Sequence, residues 1–344
     1  MISPVRSTRI SLRPIALLSA TMALGMVACT SEESPTEPSV SASPARAAAG
    51  TYTAVDLGTL GGSYSEAKGI NPSGQVVGYS LTAASQAHAF LWVKGVMTDL
   101  GTLEGGSSFA NDINPAGQVV GSSSTNDPQT DGCCHAFLWE NGAMTYLGTL
   151  GGGSSEAAAI NPAGQVVGHS TTTGNASHAF LWERGVMTDL GTLPGGTFSV
   201  ATAINPAGQV VGYGNAAGAS FHAFLWNKGV MTDIGTAGDF GLAYGINPRG
   251  QVVGGNVLWE KGVMTDLGAI EAQGISPASQ VVGYNWMPSV QDYHAFLWTE
   301  GLLTDLGTLG GTMGMAFAIN PAGQVAGRSR TAAGQIHATL WTRK

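Results

Sequence analysis

Apolar positions along this chain fall in short runs, without the three-and-four spacing of a helix. From Thr51 onward, brief stretches rich in Val, Ala, Leu, Phe and Trp are broken by Gly, Asn and Pro. Such runs, bounded by turn residues, read as buried strands. Three phrases alternate. Asp-Leu-Gly begins at Asp56, Asp99, Asp189, Asp266 and Asp305, is varied to Asp233-Ile234-Gly235, and has Tyr146 in place of Asp once. Gly-Gln-Val-Val-Gly begins at Gly74, Gly117, Gly164, Gly208 and Gly250, with variants at Ser279 and Gly323. His-Ala-Phe-Leu-Trp, with variants, ends at Trp92, Trp139, Trp182, Trp226, Trp259, Trp298 and Trp341. The period is 43 residues where complete and 33 where one loop is missing. A repeat of about 40 residues points to a propeller or an array.

Each unit divides into four strands. The first ends at Ile-Asn, as in Ala67–Asn71. Asn71-Pro72-Ser73-Gly74 is a type I turn signature, with Asn first, Pro second and Gly fourth. Gln75–Ser80 is the second strand and His88–Trp92 the third. Lys94-Gly95 turns into the fourth, Val96–Leu100; Asn141-Gly142 holds that turn in the second unit, a strong hairpin signal. Four antiparallel strands make a propeller blade, and blades stacked face to face bury both faces. His88, Phe90 and Trp92 then face one neighbour and Ala89 and Leu91 the other, with Trp expected to fill the gap. The last unit lacks a fourth strand, and Tyr52–Gly58 supplies one. The expected fold is an all-β, seven-bladed propeller whose N-terminal strand completes the final blade and removes the free edge. An open solenoid would need atypical capping repeats.

These phrases together, with Ile-Asn-Pro-x-Gly-Gln-Val-Val-Gly, resemble the bacterial HAF repeat over about residues 51–344. The resemblance implies an extracellular, propeller-like body and no particular activity.

The N-terminus has a different pattern. Arg6, Arg9 and Arg13 precede an apolar run from Ile15 to Ala28, too short to span a bilayer. Met26-Val27-Ala28-Cys29 resembles the lipobox of bacterial lipoproteins, which implies Cys29 as a lipidated anchor; plain secretory cleavage is the alternative. Residues 29–50 are rich in Ser, Pro and Ala and read as a disordered tether. The expected organisation is a signal peptide at 1–28, a tether at 29–50 and the propeller at 51–344. Localisation follows: exported, held at the cell envelope or surface by a lipid, or secreted.

Composition narrows the function. Of 344 residues, 10% are charged and 51 are Gly, against roughly a quarter charged in ordinary globular chains. Net charge is −8, becoming −11 once the three leader arginines are removed. With no basic cluster, nucleic acid is excluded as a partner.

Six recurring histidines suggest a metal ring, but strand spacing holds equivalent positions too far apart for a shared ion. No metal and no cofactor is expected. The hairpin register instead sets His88 diagonal to Asp99, and likewise His178 to Asp189, His222 to Asp233 and His294 to Asp305. Ring closure adds His337 with Asp56. Cys133 and Cys134 are a candidate vicinal disulfide, two free thiols being the equal alternative. Asn126, Asp127 and Asp131 read as a solvated loop rather than a cation site.

Binding is expected where the repeat is not repeated. Loops between second and third strands vary most. Trp286, outside the seven motif copies, stands with Tyr284 and Tyr293 as a candidate site for a sugar or peptide. Three residues before each turn Asn or Ser, the innermost strands carry Lys68, Asn111, Ala158, Thr202, Tyr244, Gln273 and Phe317, expected to line the channel mouth. Glu66, Asp112, Glu156 and Asp239 lie nearby. The expected function is a non-catalytic binding or scaffold module for an extracytoplasmic glycan, peptide or protein. The alternative is a hydrolase or lyase using mouth carboxylates.

Overall fold

A computed structural model describes residues 51–125, 134–217, 221–235 and 241–344. Five of its sheets are antiparallel blades of four short strands, the small-bladed propeller expected from the repeats. In the third repeat the strands are Gly151–Ile160, Val166–Thr172, Ser177–Glu183 and Val186–Asp189, hydrogen-bonded in chain order. The turn Asn161-Pro162-Ala163-Gly164 closes as its residues dictate. Gly164 N–H donates to Asn161 O at 3.0 Å, and Gly164 takes a φ of 79°, which Gly adopts without steric cost.

The expectation of seven separate sheets needs correction. Five four-stranded sheets stand alone, formed by repeats two to six. The eight strands of the first and last repeats form a single sheet, because Tyr64 makes a parallel bridge to Ile336. The N-terminal strand Tyr52–Asp56 pairs antiparallel with Ile336–Arg343, Val55 opposite Leu340. The first strands lie side by side in repeat order, and the seventh, Gly310–Ile319, lies beside the first, Gly61–Ile70.

The core sits between repeats. Val77, Ala89 and Leu100 of the first repeat meet Ala110, Ile113, Val119 and Phe137 of the second. Phe90, Phe137, Phe180 and Phe224 are fully buried, while the motif Trp residues, Trp341 apart, are only half-buried. Phe, not Trp, therefore fills the gap between blades. Trp341 is fully buried opposite Ala54 of the N-terminal strand, and its Nε1–H donates to Gly307 O at 3.0 Å.

Six of the seven first strands also carry a bulge. The register with the second strand slips between Ala67 and Gly69, leaving Lys68 as the extra residue, and the same slip isolates Asn111, Ala158, Thr202, Gln273 and Phe317. The bulge drives a carbonyl against the second strand. A Cβ on Gly78 would overlap Glu66 O, and one on Gly168 would overlap Glu156 O. That contact explains the final Gly of Gly-Gln-Val-Val-Gly.

Candidate functional site at the channel mouth

Bulged residues are freed from the ladder, and here they reach across the ring of first strands: Asn111 to Glu156, Thr202 to Ala243 O and Lys68 to Phe317. Cross-strand pairing sets Glu66 opposite Tyr79, Glu156 opposite His169, Glu271 opposite Tyr284 and Met315 opposite Arg328. The expected mouth residues Lys68, Asn111, Tyr244 and Gln273 are all only partly buried.

At the junction of the first and last repeats, the buried Glu66 carboxylate pairs with Lys68 and Arg328. Tyr64 OH donates to Glu66 Oε2 at 2.6 Å, and Arg328 Nη1 donates to Tyr64 OH at 2.7 Å. Burial pushes the Glu66 carboxyl up, but the charges of Lys68 and Arg328 outweigh it and hold the group below its ordinary value. The Tyr64 hydroxyl is pushed up, first by burial and then by its bond to Glu66. Lys68 Nζ also stands 4.5 Å from the centre of the Phe317 ring, within cation–π range.

The other acids are engaged differently. Asp112 Oδ2 accepts from Ile160 N–H at 2.9 Å and Oδ1 from Ile113 N–H at 2.8 Å, stapling the second repeat to the third. Burial raises its pKa to about 6 against those two bonds. Glu156 Oε1 accepts from Asn111 Nδ2 at 3.2 Å. Burial lowers the pKa of His169, and Glu156 partly restores it. Asp239 lies outside the described residues.

An aromatic row leaves this mouth. Phe317 packs on Tyr284 with ring centres 6.4 Å apart, Tyr284 on Tyr293 at 5.5 Å, and Tyr293 on Trp286 at 5.3 Å. Trp286 is 47% exposed and Tyr293 38%. The structure thus joins the three aromatic candidates of the sequence to Phe317 and the channel.

The five His–Asp pairs link third strands to fourth strands, and the His294–Asp305 pair adjoins the aromatic row. Nδ1 meets a carboxylate oxygen at 2.8 Å for His88–Asp99, His178–Asp189 and His294–Asp305, at 2.6 Å for His222–Asp233 and at 2.9 Å for His337–Asp56. Their other carboxylate oxygen does something the motif did not announce. Asp99, Asp189, Asp233 and Asp305 each cap the N–H of the Gly two residues on, at 2.7–2.9 Å. Where Tyr146 replaces Asp, His135 packs edge-on against its ring. Cys134 is half-buried; Cys29, Cys133, Asn126, Asp127 and Asp131 lie outside the described residues. No group of three or more His, Cys, Asp or Glu gathers for a metal among the described residues. No helix there is long and apolar enough to cross a membrane.

Two sets of polar residues escaped sequence reasoning. The turn asparagines form a chain around the axis: Asn71, Asn114, Asn161 and Asn205 each donate Nδ2–H to the carbonyl of the next turn Asn, and Asn320 closes onto Asn71 O at 3.1 Å. Asn247 donates to Ser276 O, and at Ser276 the side-chain relay stops. Buried Ser65, Ser108, Ser155 and Ser199 each tie a first strand to the preceding repeat, Ser155 Oγ donating to Gly148 O and accepting from Ala136 N–H. An amide four residues from a Gln is the only hint of the first; nothing marks the second.

No protein-family model matches the chain, and no curated protein matches it. Among solved structures it is similar to the β-propeller domain of the Trilobed protease from Pyrococcus furiosus, described by an open velcro topology, at 8% identity and a TM-score of 0.54, covering 82% of this chain and 96% of that one. A puromycin-hydrolyzing peptidase of Mycobacterium tuberculosis aligns at 11% identity and a TM-score of 0.50. TolB from Acinetobacter baumannii aligns at 12% and 0.43. The chain spans about half the length of the last two, covering 55% and 54% of them. The likeness to the Pyrococcus domain establishes the propeller fold. In this chain the terminal strands pair.

Proposed function

We propose that the protein is an exported, membrane-tethered binding module whose extracytoplasmic ligand is met on the variable side of a seven-bladed disc. The observation that carries the reading is the aromatic row from Phe317 through Tyr284 and Tyr293 to the exposed Trp286. Indole and phenol rings left half in water on a rigid sheet offer contact area at little entropic cost. The sevenfold count treats the eight-stranded sheet as two blades that touch at Tyr64. Its supports are the ring of first strands and the asparagine chain that returns from Asn320 to Asn71. Membership of the HAF-repeat group rests on the repeated phrases, and lipid anchoring on Cys29 behind its apolar run. The ligand class is a glycan, a peptide or a protein.

The hydrolase or lyase reading draws on Asp112, whose pKa of about 6 suits a general acid. Both Asp112 oxygens are occupied by backbone N–H groups, and Glu66 is locked by Lys68 and Arg328. That commitment favours the binding reading. The test is a glycan and peptide array probed with the purified protein and with Trp286→Ala. Hits that vanish in the variant are expected; an array with no hits removes the reading.

A further inference from the structure

The sixth repeat lacks a piece of chain that five others keep. In the first, second, third, fourth and seventh repeats, the link into the first strand carries a Gly-Gly pair that lies against the end of the second strand. A Cβ on Gly62 would stand 2.5 Å from Leu81 Cβ, one on Gly105 2.7 Å from Ser124 O, and one on Gly311 2.7 Å from Arg330 O. Gly152 meets Thr171 and Gly196 meets Asn215 in the same way. Leu60, Leu150 and Leu309 add bridges to Thr82, Thr172 and Thr331. These repeats therefore cover the tip of the second strand with extended backbone.

In the sixth repeat the link from Leu267 to Glu271 is only Gly268-Ala269-Ile270. The residue equivalent to Leu81, Ser124, Thr171, Asn215 and Arg330 is Trp286. The ladder between first and second strands ends at Glu271 opposite Tyr284, while the second strand runs on to Met287. Asn285, Trp286 and Met287 pair with His294, Tyr293 and Asp292 on their outer side. On the inner side they have no strand partner among the described residues.

Resting on the binding role proposed above, we infer that this vacated edge accepts an extended peptide of another protein, added as a strand antiparallel to Asn285–Met287. It would continue the ladder that Glu271–Tyr284 and Ala272–Gly283 already form. Unpaired strand edges recruit such strands, main-chain bonds giving affinity and flanking pockets giving selectivity. The place is shaped for main chain, since five sister repeats fill it with their own. A saccharide has no alternating N–H and C=O to complete the ladder. Tyr284, Tyr293 and Trp286 flank the slot. The exposed Glu271 carboxylate at the ladder's end, on a body of net charge −9 over residues 51–344, favours a basic residue on the peptide.

The test takes the strongest peptide from a synthetic library of short basic and aromatic sequences, read by fluorescence anisotropy on the purified protein. Alternate backbone N-methylation of that peptide should weaken binding about tenfold or more, as should Trp286→Ala. Replacing Ala269-Ile270 by a copy of Thr59–Ser65 should refill the slot and abolish binding with Trp286 still present. Should that graft misfold, the N-methylated peptide still decides. Unchanged binding after N-methylation overturns strand addition, and so does a library with no binding peptide. Saccharide hits that depend on Trp286 would overturn it too while keeping the broader binding role; no hit of either kind removes both.

Discussion

The two rims of the channel differ in what their side chains answer to. On the turn side, Asn161 accepts from its own turn, bonds Gln165, and donates to the next turn's carbonyl. Each asparagine fits its own loop and its neighbour's, so a change in one must suit two. On the mouth side, the bulged residues run from Lys68 to Phe317 with no common chemistry, because a bulge releases the side chain from the sheet. Uniformity in this chain marks positions whose partners are copies of themselves. Diversity marks positions whose partner lies elsewhere.

The harshest way to break that contrast is a methyl group under the bulge. Gly168→Ala would place Cβ on Glu156 O, and neither strand can retreat without opening a blade. A loss beyond about 4 kcal/mol is expected, seen as a collapsed thermal transition. A melting temperature within a few degrees of wild type would show that the bulge is not what requires glycine.

Next comes the asparagine relay. Asn161→Ala leaves two part-buried backbone donors and one buried carbonyl without partners, at a cost of about 2–3 kcal/mol. Ser276→Asn is the complementary change. It should let the sixth turn donate to the seventh and raise stability by about 0.5–1 kcal/mol. Denaturant midpoints for both variants check the pair, and equal losses would mean the relay is incidental.

Much of this was legible beforehand. Strand count per unit, turn chemistry, terminal closure and the diagonal His–Asp pairs all follow from spacing, because a period of two and a hairpin register leave little freedom. The same logic expects Lys68 and its counterparts at the mouth, and what the structure shows of Lys68, Asn111, Ala158, Thr202, Gln273 and Phe317 is that they are the extra residues of bulges. What stayed hidden depends on contacts between repeats. The asparagine relay needs the rotation from one blade to the next, and the buried serines need the depth of the loop before them. Size alone favours Trp as the filler, yet Phe is the side chain that packs fully buried between repeats. The bridge from Tyr64 to Ile336, which joins the strands of the first and last repeats into one sheet, is a single pairing that no pattern announces.

Asp112 offers a milder probe of the mouth side. Its folded pKa of about 6 lies above its ordinary 3.8, so the folded protein holds a proton that the unfolded chain has released. The stabilising effect of that proton is full below about pH 4 and is lost as pH rises to 6. Wild type compared with Asp112→Asn should therefore lose ground between pH 4 and pH 7. The relative change is on the order of 1–2 kcal/mol after solvent screening. Glu66 has the opposite sign, its contribution present above its ordinary value and lost in stronger acid, and it cancels in the comparison. A pH-independent difference would mean that the carboxyl titrates normally.

The smallest expected effect tests the His–Asp pairs as braces. His178 and Asp189 meet at 2.8 Å, but the Asp189 side chain is 41% exposed, and exposed pairs are worth about 0–1 kcal/mol. Asp189 also caps Gly191 N–H at 2.7 Å, a bond that survives loss of the histidine. His178→Ala should cost about 0.5 kcal/mol and Asp189→Ala about 1.5, most of the latter from the uncapped turn. A double-mutant cycle isolates the pair from the cap. A coupling above about 1 kcal/mol would make the pair a true brace; a coupling near zero would mean that the motif keeps its aspartate for the turn alone.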